Sequence, residues 1–84
     1  MLTRLGRFLR KLRIDNGEIL KNMSDKFNVT ASYLSAVENG KRTFPIEWRE
    51  VVIHEYCLSD EQKIEFETAI LDTISQIRNS QKIS

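Results

Sequence analysis

The sequence predicts a single all-α domain built from five helices. The chain has 84 residues, 40% of them hydrophobic, and a formal net charge of +1, which is typical of one small globular domain. Apolar residues recur at spacings of three and four in successive segments, which is the period of an amphipathic helix. We find no segment with the apolar-polar alternation of a half-buried strand and no internal repeat.

The first two helices precede position 30. Four apolar residues with spacings of three, one and three predict a helix from about position 3 to 14: Leu5, Phe8, Leu9 and Leu12. Gly17 suits the left-handed conformation that ends a helix. Leu20, Met23 and Phe27 predict a second, shorter helix, and Asn28 tolerates the positive φ of a tight turn after it.

Three more helices follow. Thr30 is a predicted N-cap for a helix over 31–38, which Asn39 and Gly40 end. Pro45 fits the first turn of a fourth helix with this buried stripe: Trp48, Val51, Val52 and Tyr56. Residues 59–62 match a capping box for a fifth helix over about 60–79, followed by a loose tail at 80–84.

Size and composition exclude several classes of protein. A chain this short buries only about 60 to 65% of its unfolded surface, which leaves little interior for a catalytic pocket, so we expect no enzyme and no cofactor. The single cysteine, Cys57, cannot form an internal disulfide. His54 and Cys57 supply two ligands where structural zinc needs four, so we expect no metal and a buried thiol. With neither a signal peptide nor a spanning segment in the sequence, we expect a cytoplasmic protein without membrane contact.

The small net charge conceals an asymmetry along the chain. Residues 1–50 carry ten basic and six acidic side chains, whereas residues 51–84 carry three and six. This division suggests an anionic partner for the first half and another protein for the second. Chance unevenness of surface charge is the alternative.

The second and third helices are joined through residues 27–29, a spacing that describes a helix-turn-helix, although other compact bundles also place helices in this way. The stretch from Val29 to Arg42, VTASYLSAVENGKR, resembles the Xre/Cro-like helix-turn-helix repressors, and LRKLR at 9–13 is similar to their first helix. The resemblance runs from Leu5 to Pro45. It implies a lambda-repressor-like domain that binds a double-stranded DNA operator as a dimer, without catalysis.

Within that interpretation, residues 1–58 form the DNA-binding core. Residues 59–84 belong to the same domain and serve dimerisation or partner binding. The resemblance assigns base reading to the outward face of the third helix: Thr30, Ala31, Ser32, Ser35 and Ala36. Alanine and serine discriminate bases weakly, so we expect DNA shape, basic residues at the groove edge and half-site spacing to contribute much of the specificity.

Phosphate contacts are expected from Asn39, Lys41 and Arg42 in the loop after the third helix, and from Thr43 with the backbone at the start of the fourth helix. Tyr33 is a further candidate for phosphate or base contact, with packing against the second helix or the backbone as its alternative. The basic face of the first helix, with Arg7, Arg10 and Lys11, either faces solvent or lies near the DNA backbone.

Two further expectations come from the family pattern. It pairs an arginine near the end of the first helix with the glutamate of Glu-Asn-Gly, which makes Arg13 and Glu38 a structural ion pair. Where the family has Leu-Ser-Gln at the start of its second helix, this chain has residues 18–20 as Glu-Ile-Leu, without the cap and the phosphate-binding glutamine. Three residues are candidate replacements: Asn16, Lys21 and Asn22.

The fifth helix carries more apolar surface than a terminal helix needs. We expect a homodimer interface formed by Phe66, Ile70, Ile74 and Ile77, which would place two recognition helices about 34 Å apart on DNA. The alternative is that this stripe closes the core of the monomer. The leading hypothesis is a dimeric repressor of phage or mobile-element type. The alternatives are an antitoxin that binds its toxin and regulates its own promoter, and an interaction adaptor that has lost DNA binding.

Overall fold

Five helices make up the protein in a computed structural model, which describes the backbone of residues 2–82 and the side chains of residues 2–74. They are α1 (Arg4–Asp15), α2 (Leu20–Lys26), α3 (Ala31–Glu38), α4 (Trp48–Glu55) and α5 (Asp60–Lys82). No strand occurs within residues 2–82, which confirms the predicted all-α class with five helices. In the part of the chain described, no helix is both long and apolar enough to cross a bilayer.

Two helix boundaries differ from the sequence prediction. α4 begins at Trp48 instead of Pro45, because residues 45–47 form single turns in which the Trp48 N–H donates to the Pro45 carbonyl at 3.0 Å. α5 continues to Lys82, so the predicted loose tail is wrong for residues 80–82. Residues 83 and 84 of that tail lie outside the described residues.

One hydrophobic core joins the helices. α1 packs against α3 and α5, and α2 packs against α3. Two stacked aromatic pairs extend these contacts: Phe8 on Phe66, with ring centroids 5.2 Å apart, joins α1 to α5, and Phe27 on Trp48, at 4.3 Å, joins the end of α2 to α4. The recognition candidate α3 is therefore supported from α1 and α2.

α3 and α5 begin with the capping hydrogen bonds that the sequence predicts. Thr30 accepts the Tyr33 N–H at 3.1 Å. At the start of α5, Ser59 Oγ accepts the Gln62 N–H at 3.2 Å while Gln62 Oε1 accepts the Ser59 N–H at 3.0 Å, which confirms the capping box.

α1 to α4 all end in the same way. The residue after each C-cap has a positive φ, and the N–H that follows it donates to a carbonyl five residues back, as in a Schellman motif. The four positive-φ residues are Gly17 (66°), Asn28 (58°), Gly40 (75°) and Cys57 (47°). Their hydrogen bonds run from Glu18 to Arg13, Val29 to Ser24, Lys41 to Ala36 and Leu58 to Ile53, at 2.8, 3.0, 2.8 and 3.4 Å.

Cys57 corrects one expectation. Its thiol is exposed and not buried, because the residue occupies the positive-φ position at the end of α4, where the chain turns at the surface. Sγ donates weakly to the His54 carbonyl at 3.7 Å. Within the described residues, no three side chains of metal-binding type are grouped closely enough to hold an ion.

Candidate nucleic-acid interface

α3 presents a face of small side chains on the side opposite the core. Leu34, Val37 and Glu38 are buried, which leaves the other faces of the helix outward. Ser32 is exposed, and Ala31, Ser35 and Ala36 are half-buried. Side chains three and four apart lie on the same side of a helix, so Ser32, Ser35 and Ala36 form one strip. The hydroxyl of Thr30, at the margin, already caps the helix.

The loop after α3 supplies cations next to this strip. Lys41, Arg42 and Thr43 are exposed. The Arg42 guanidinium carbon lies 5.2 Å from the centroid of the Tyr33 ring. Thr43 lies within the loop and not at a helix N-terminus, since α4 begins at Trp48. Lys41 and Arg42 are therefore the loop residues with free charge beside α3.

The side chain of Asn39 caps the end of α3, and its phosphate contact stays a prediction. Its Nδ2 donates to the Ser35 carbonyl at 2.8 Å and lies 3.5 Å from Ser35 Oγ. One of the two Nδ2 hydrogens thereby caps the last turn of α3. Asn39 thus shapes the end of the helix in this structure.

Tyr33 packs against Trp48 of α4. Its ring meets Trp48 edge-on, with centroids 6.0 Å apart, and Trp48 is buried. Tyr33 is half-buried and lies between this core aromatic and the Arg42 guanidinium.

Behind α3, an ion pair holds the helix to α1. Arg13 and Glu38 form a salt bridge with side chains only 9% and 5% exposed. Both guanidinium ends face the carboxylate, since Nη2 donates to Oε1 at 3.3 Å, and Nη1 also lies 3.6 Å from Met23 Sδ. Such a pair satisfies both buried charges, and among the described residues each buried side-chain nitrogen and oxygen has a hydrogen-bond partner.

The backbone of Glu38 is held from the same helix. Its carbonyl accepts the Thr3 N–H at 3.0 Å and the Thr3 hydroxyl at 3.2 Å. Gly6 lies against this peptide, because a Cβ built on Gly6 would come within 2.8 Å of the Glu38 carbonyl carbon and 2.9 Å of its Cα. Sequence reasoning missed Gly6, although a glycine inside a predicted amphipathic helix is a signal of close backbone approach.

A second polar cluster connects the loop before α2 to the end of α4. Glu18 accepts Lys26 Nζ and the Tyr56 hydroxyl, each at 2.6 Å, and Lys26 Nζ lies 4.3 Å from the centroid of the Tyr56 ring. Burial raises the pKa of Glu18, but the hydrogen bonds from Lys26 and Tyr56 outweigh it and hold the pKa below its usual value. Burial and the Glu18 carboxylate raise the pKa of Tyr56.

The residues at 16–22 that the sequence analysis singled out are held by partners within the chain. Glu18 is used as an internal acceptor, and α2 begins with the Asn22 Oδ1 accepting the Ile19 N–H at 2.9 Å. Asn16 Nδ2 donates to the Leu12 carbonyl at 2.8 Å, and Lys21 pairs with Asp25 at 3.1 Å on the surface. All three candidate anchors have partners within the chain, and the Lys21 pair is the most readily exchanged because it is exposed.

The basic face of α1 lies mainly beside α5. Arg4, Arg7 and Lys11 line a groove of about 280 Å³ together with Phe8, Glu65 and Ala69. Gly6 and Arg13, in contrast, lie on the side of α1 that meets α3. Arg7 and Lys11 are therefore placed on the α5 side, away from the strip of small residues.

Two of the residues predicted for the dimer surface are instead buried in the core. Phe66 and Ile70 are 0% and 4% exposed, because α5 turns them toward α1 and its Phe8. The alternative, that the stripe closes the monomer's own core, thus applies to both residues. Ile74 is 43% exposed and is joined on the surface of α5 by Ile64 and Leu71, at 68% and 66%. The side chain of Ile77 lies outside the described residues.

Comparison of the chain with protein-family models, with curated proteins and with solved structures gives no match. The residues of α3 and of the loop after it are thus the features that indicate a function.

Proposed function

We propose that the chain is a double-stranded DNA-binding transcriptional regulator of the Xre/Cro-like helix-turn-helix type, with α2 and α3 as the helix-turn-helix and α3 as the recognition helix. The observation that carries the proposal is that the exposed Lys41 and Arg42 adjoin the helix with the small-residue strip: the Lys41 N–H donates to the Ala36 carbonyl at 2.8 Å, and Arg42 lies over the Tyr33 ring. An α-helix fits the major groove, and basic residues at its edge neutralise phosphates.

The small side chains determine how such a helix reads DNA. Serine hydroxyls hydrogen-bond base edges, and alanine methyl groups contact the methyl of thymine. Because Ser32, Ser35 and Ala36 are short, the backbone of α3 lies close to the bases. Specificity then depends on how readily a sequence adopts the required groove shape as well as on these contacts.

A dimer completes the proposal. Ile64 and Leu71 are seven residues apart and lie on nearly the same side of α5, with Ile74 close by, so these three exposed residues form a surface for a second copy. A two-fold dimer would present two recognition helices about one turn of DNA apart, some 34 Å. A dimer bound over a promoter would repress transcription by occlusion.

The proposal is tested by fluorescence anisotropy with the duplex that precedes the chain's own gene and with a random-sequence duplex, at several salt concentrations. We expect tighter binding to the promoter duplex and affinity that falls steeply with salt. Arg42→Ala should weaken binding to both, whereas Lys63→Ala, which removes an exposed cation from α5, is the matched control. Absence of binding to either duplex at low salt would refute the proposal.

A second candidate, an antitoxin, is supported by the same exposed residues of α5. A different protein, such as a toxin, is an alternative occupant for the surface of Ile64, Leu71 and Ile74. Light scattering separates the two cases. A chain that is monomeric alone and forms a stable complex with the product of a neighbouring gene would favour the antitoxin.

A further inference from the structure

The guanidinium of Arg42 is connected to the core through the Tyr33 ring. Its carbon lies 5.2 Å from the Tyr33 ring centroid, and the Tyr33 ring in turn contacts the buried Trp48 with centroids 6.0 Å apart. Arg42 is otherwise exposed, in the loop that follows α3. A flexible surface side chain is thus held in place by a rigid aromatic pair.

This contact holds an arginine without using its hydrogen bonds. A guanidinium over an aromatic ring is attracted by the ring's π electrons and not through its N–H donors, which stay free for an anion. Part of the side-chain entropy that binding would cost is already lost in the free protein. Lysine has no planar guanidinium, so its replacement of Arg42 would not be conservative.

We infer that Tyr33 is a positioning residue that holds Arg42 for a bidentate contact with one phosphate of the DNA backbone next to α3. The inference rests on the proposed function. It assigns Tyr33 a role that differs from the direct base or phosphate contact expected from the sequence, because the Tyr33 ring lies between the Arg42 guanidinium and Trp48.

Binding of a short random-sequence duplex, measured as a function of salt, tests the role of each residue. We expect Arg42→Ala to reduce the salt slope by about one, since one phosphate contact is lost. Tyr33→Phe should bind as the unmodified chain does, because the ring remains. Tyr33→Leu should bind about two- to fivefold more weakly, the size of an exposed cation–π contact. Arg42→Lys should keep the charge and still lose affinity.

A double-mutant cycle separates positioning from a general loss of stability. Tyr33→Leu also removes packing on Trp48, and this structural effect is the same in any background. We expect Tyr33→Leu to weaken DNA binding in the Lys41→Ala background and to have no further effect in the Arg42→Ala background. Equal effects in the two backgrounds would overturn the inference, as would an unchanged salt slope for Arg42→Ala.

The contact between Arg42 and Tyr33 is observable without DNA. In the free protein, the ring current of Tyr33 should shift the Arg42 Nε–H resonance, and the shift should persist in Tyr33→Phe and vanish in Tyr33→Leu. If the unmodified chain binds no duplex, the proposed function fails and the DNA role of Tyr33 fails with it. If it binds duplex and the cycle is additive, only the positioning role fails.

Discussion

Gly6 of α1 lies directly against the Glu38 peptide at the end of α3, so close that a β-carbon on Gly6 would overlap the Glu38 backbone. The same peptide accepts two hydrogen bonds from Thr3, and the Glu38 carboxylate pairs with Arg13. The end of α3 is thus fixed to α1 through backbone and side chain together. The orientation of the candidate recognition helix depends on these contacts.

Gly6→Ala should destabilise the protein although alanine is the better helix former. The gain in helix propensity is about 1 kcal/mol, whereas overpacking costs about 1 to 3 kcal/mol, and here the obstacle is backbone that cannot rotate away. Urea denaturation should show a net loss of stability. Arg7→Ala, on the exposed side of the same helix, is the control and should change stability little. A Gly6→Ala protein as stable as the unmodified chain would contradict the close approach.

Removing one partner of the Arg13–Glu38 pair should cost about 3 to 5 kcal/mol, because the other charge stays buried without compensation. Arg13→Met and Glu38→Leu are the single variants. The double variant should be more stable than either single variant, since no buried charge remains. Chemical denaturation measures all three, and strictly additive losses would show that the pair is not coupled.

Cys57 should be a position where substitution stabilises the protein. An L-residue in the left-handed region costs about 1 to 2 kcal/mol, and asparagine and glycine tolerate this region better. Cys57→Asn should therefore raise the free energy of unfolding by up to about 1 kcal/mol. Cys57→Ala is the control, because alanine has the same steric cost. A gain from alanine equal to that from asparagine would indicate that the thiol, and not the backbone, is the cause.

The cluster of Glu18, Lys26 and Tyr56 should make stability depend on pH at both extremes. The pKa of Glu18 is lowered in the folded state. The contribution of Glu18 to the free energy of unfolding is therefore complete above its unfolded pKa of about 4.5 and is lost as pH falls through the folded value. The pKa of Tyr56 is raised, so its contribution is complete below about pH 10 and is lost as pH rises further.

Unfolding free energies measured from pH 3 to 6 test the acid side. Glu18→Gln should flatten this part of the curve relative to the unmodified chain, because glutamine does not titrate. Lys21→Gln is a suitable control, since it removes an exposed ion pair that contributes little. An acid transition identical in the Glu18→Gln protein would assign the effect to other carboxylates.

The proposed dimer surface should respond to charge on the outer side of α5. Leu71→Glu places a carboxylate among exposed apolar residues, and light scattering should then show monomers. Leu71→Met keeps the surface apolar and should leave the proposed dimer intact. Phe66→Ala should instead lower the folding stability by about 3 to 5 kcal/mol, since the ring fills the core. A Leu71→Glu protein that remains dimeric would show that the interface lies elsewhere.

Local chemistry made most of the helices predictable. Thr30 and the capping box at 59–62 act on backbone only three residues away, and Asn28 and Gly17 have the positive φ that their residue types tolerate. The positive φ of Cys57, at the equivalent position of α4, could not be predicted, because cysteine has no preference for this conformation. The path of the chain after α4 requires the turn there.

The sequence by itself determined the five helices, the small side chains on α3, and the two cations, Lys41 and Arg42, in the loop that follows it. It did not determine which apolar residues of α5 face the core, because a helix with apolar residues on two sides has no preferred orientation until its neighbours are placed. Only the tertiary structure turned Phe66 and Ile70 inward, left Ile64 and Leu71 outside, and brought Glu18 to Tyr56 and Arg42 to Tyr33. These contacts join residues on different elements, and their geometry depends on how the helices pack.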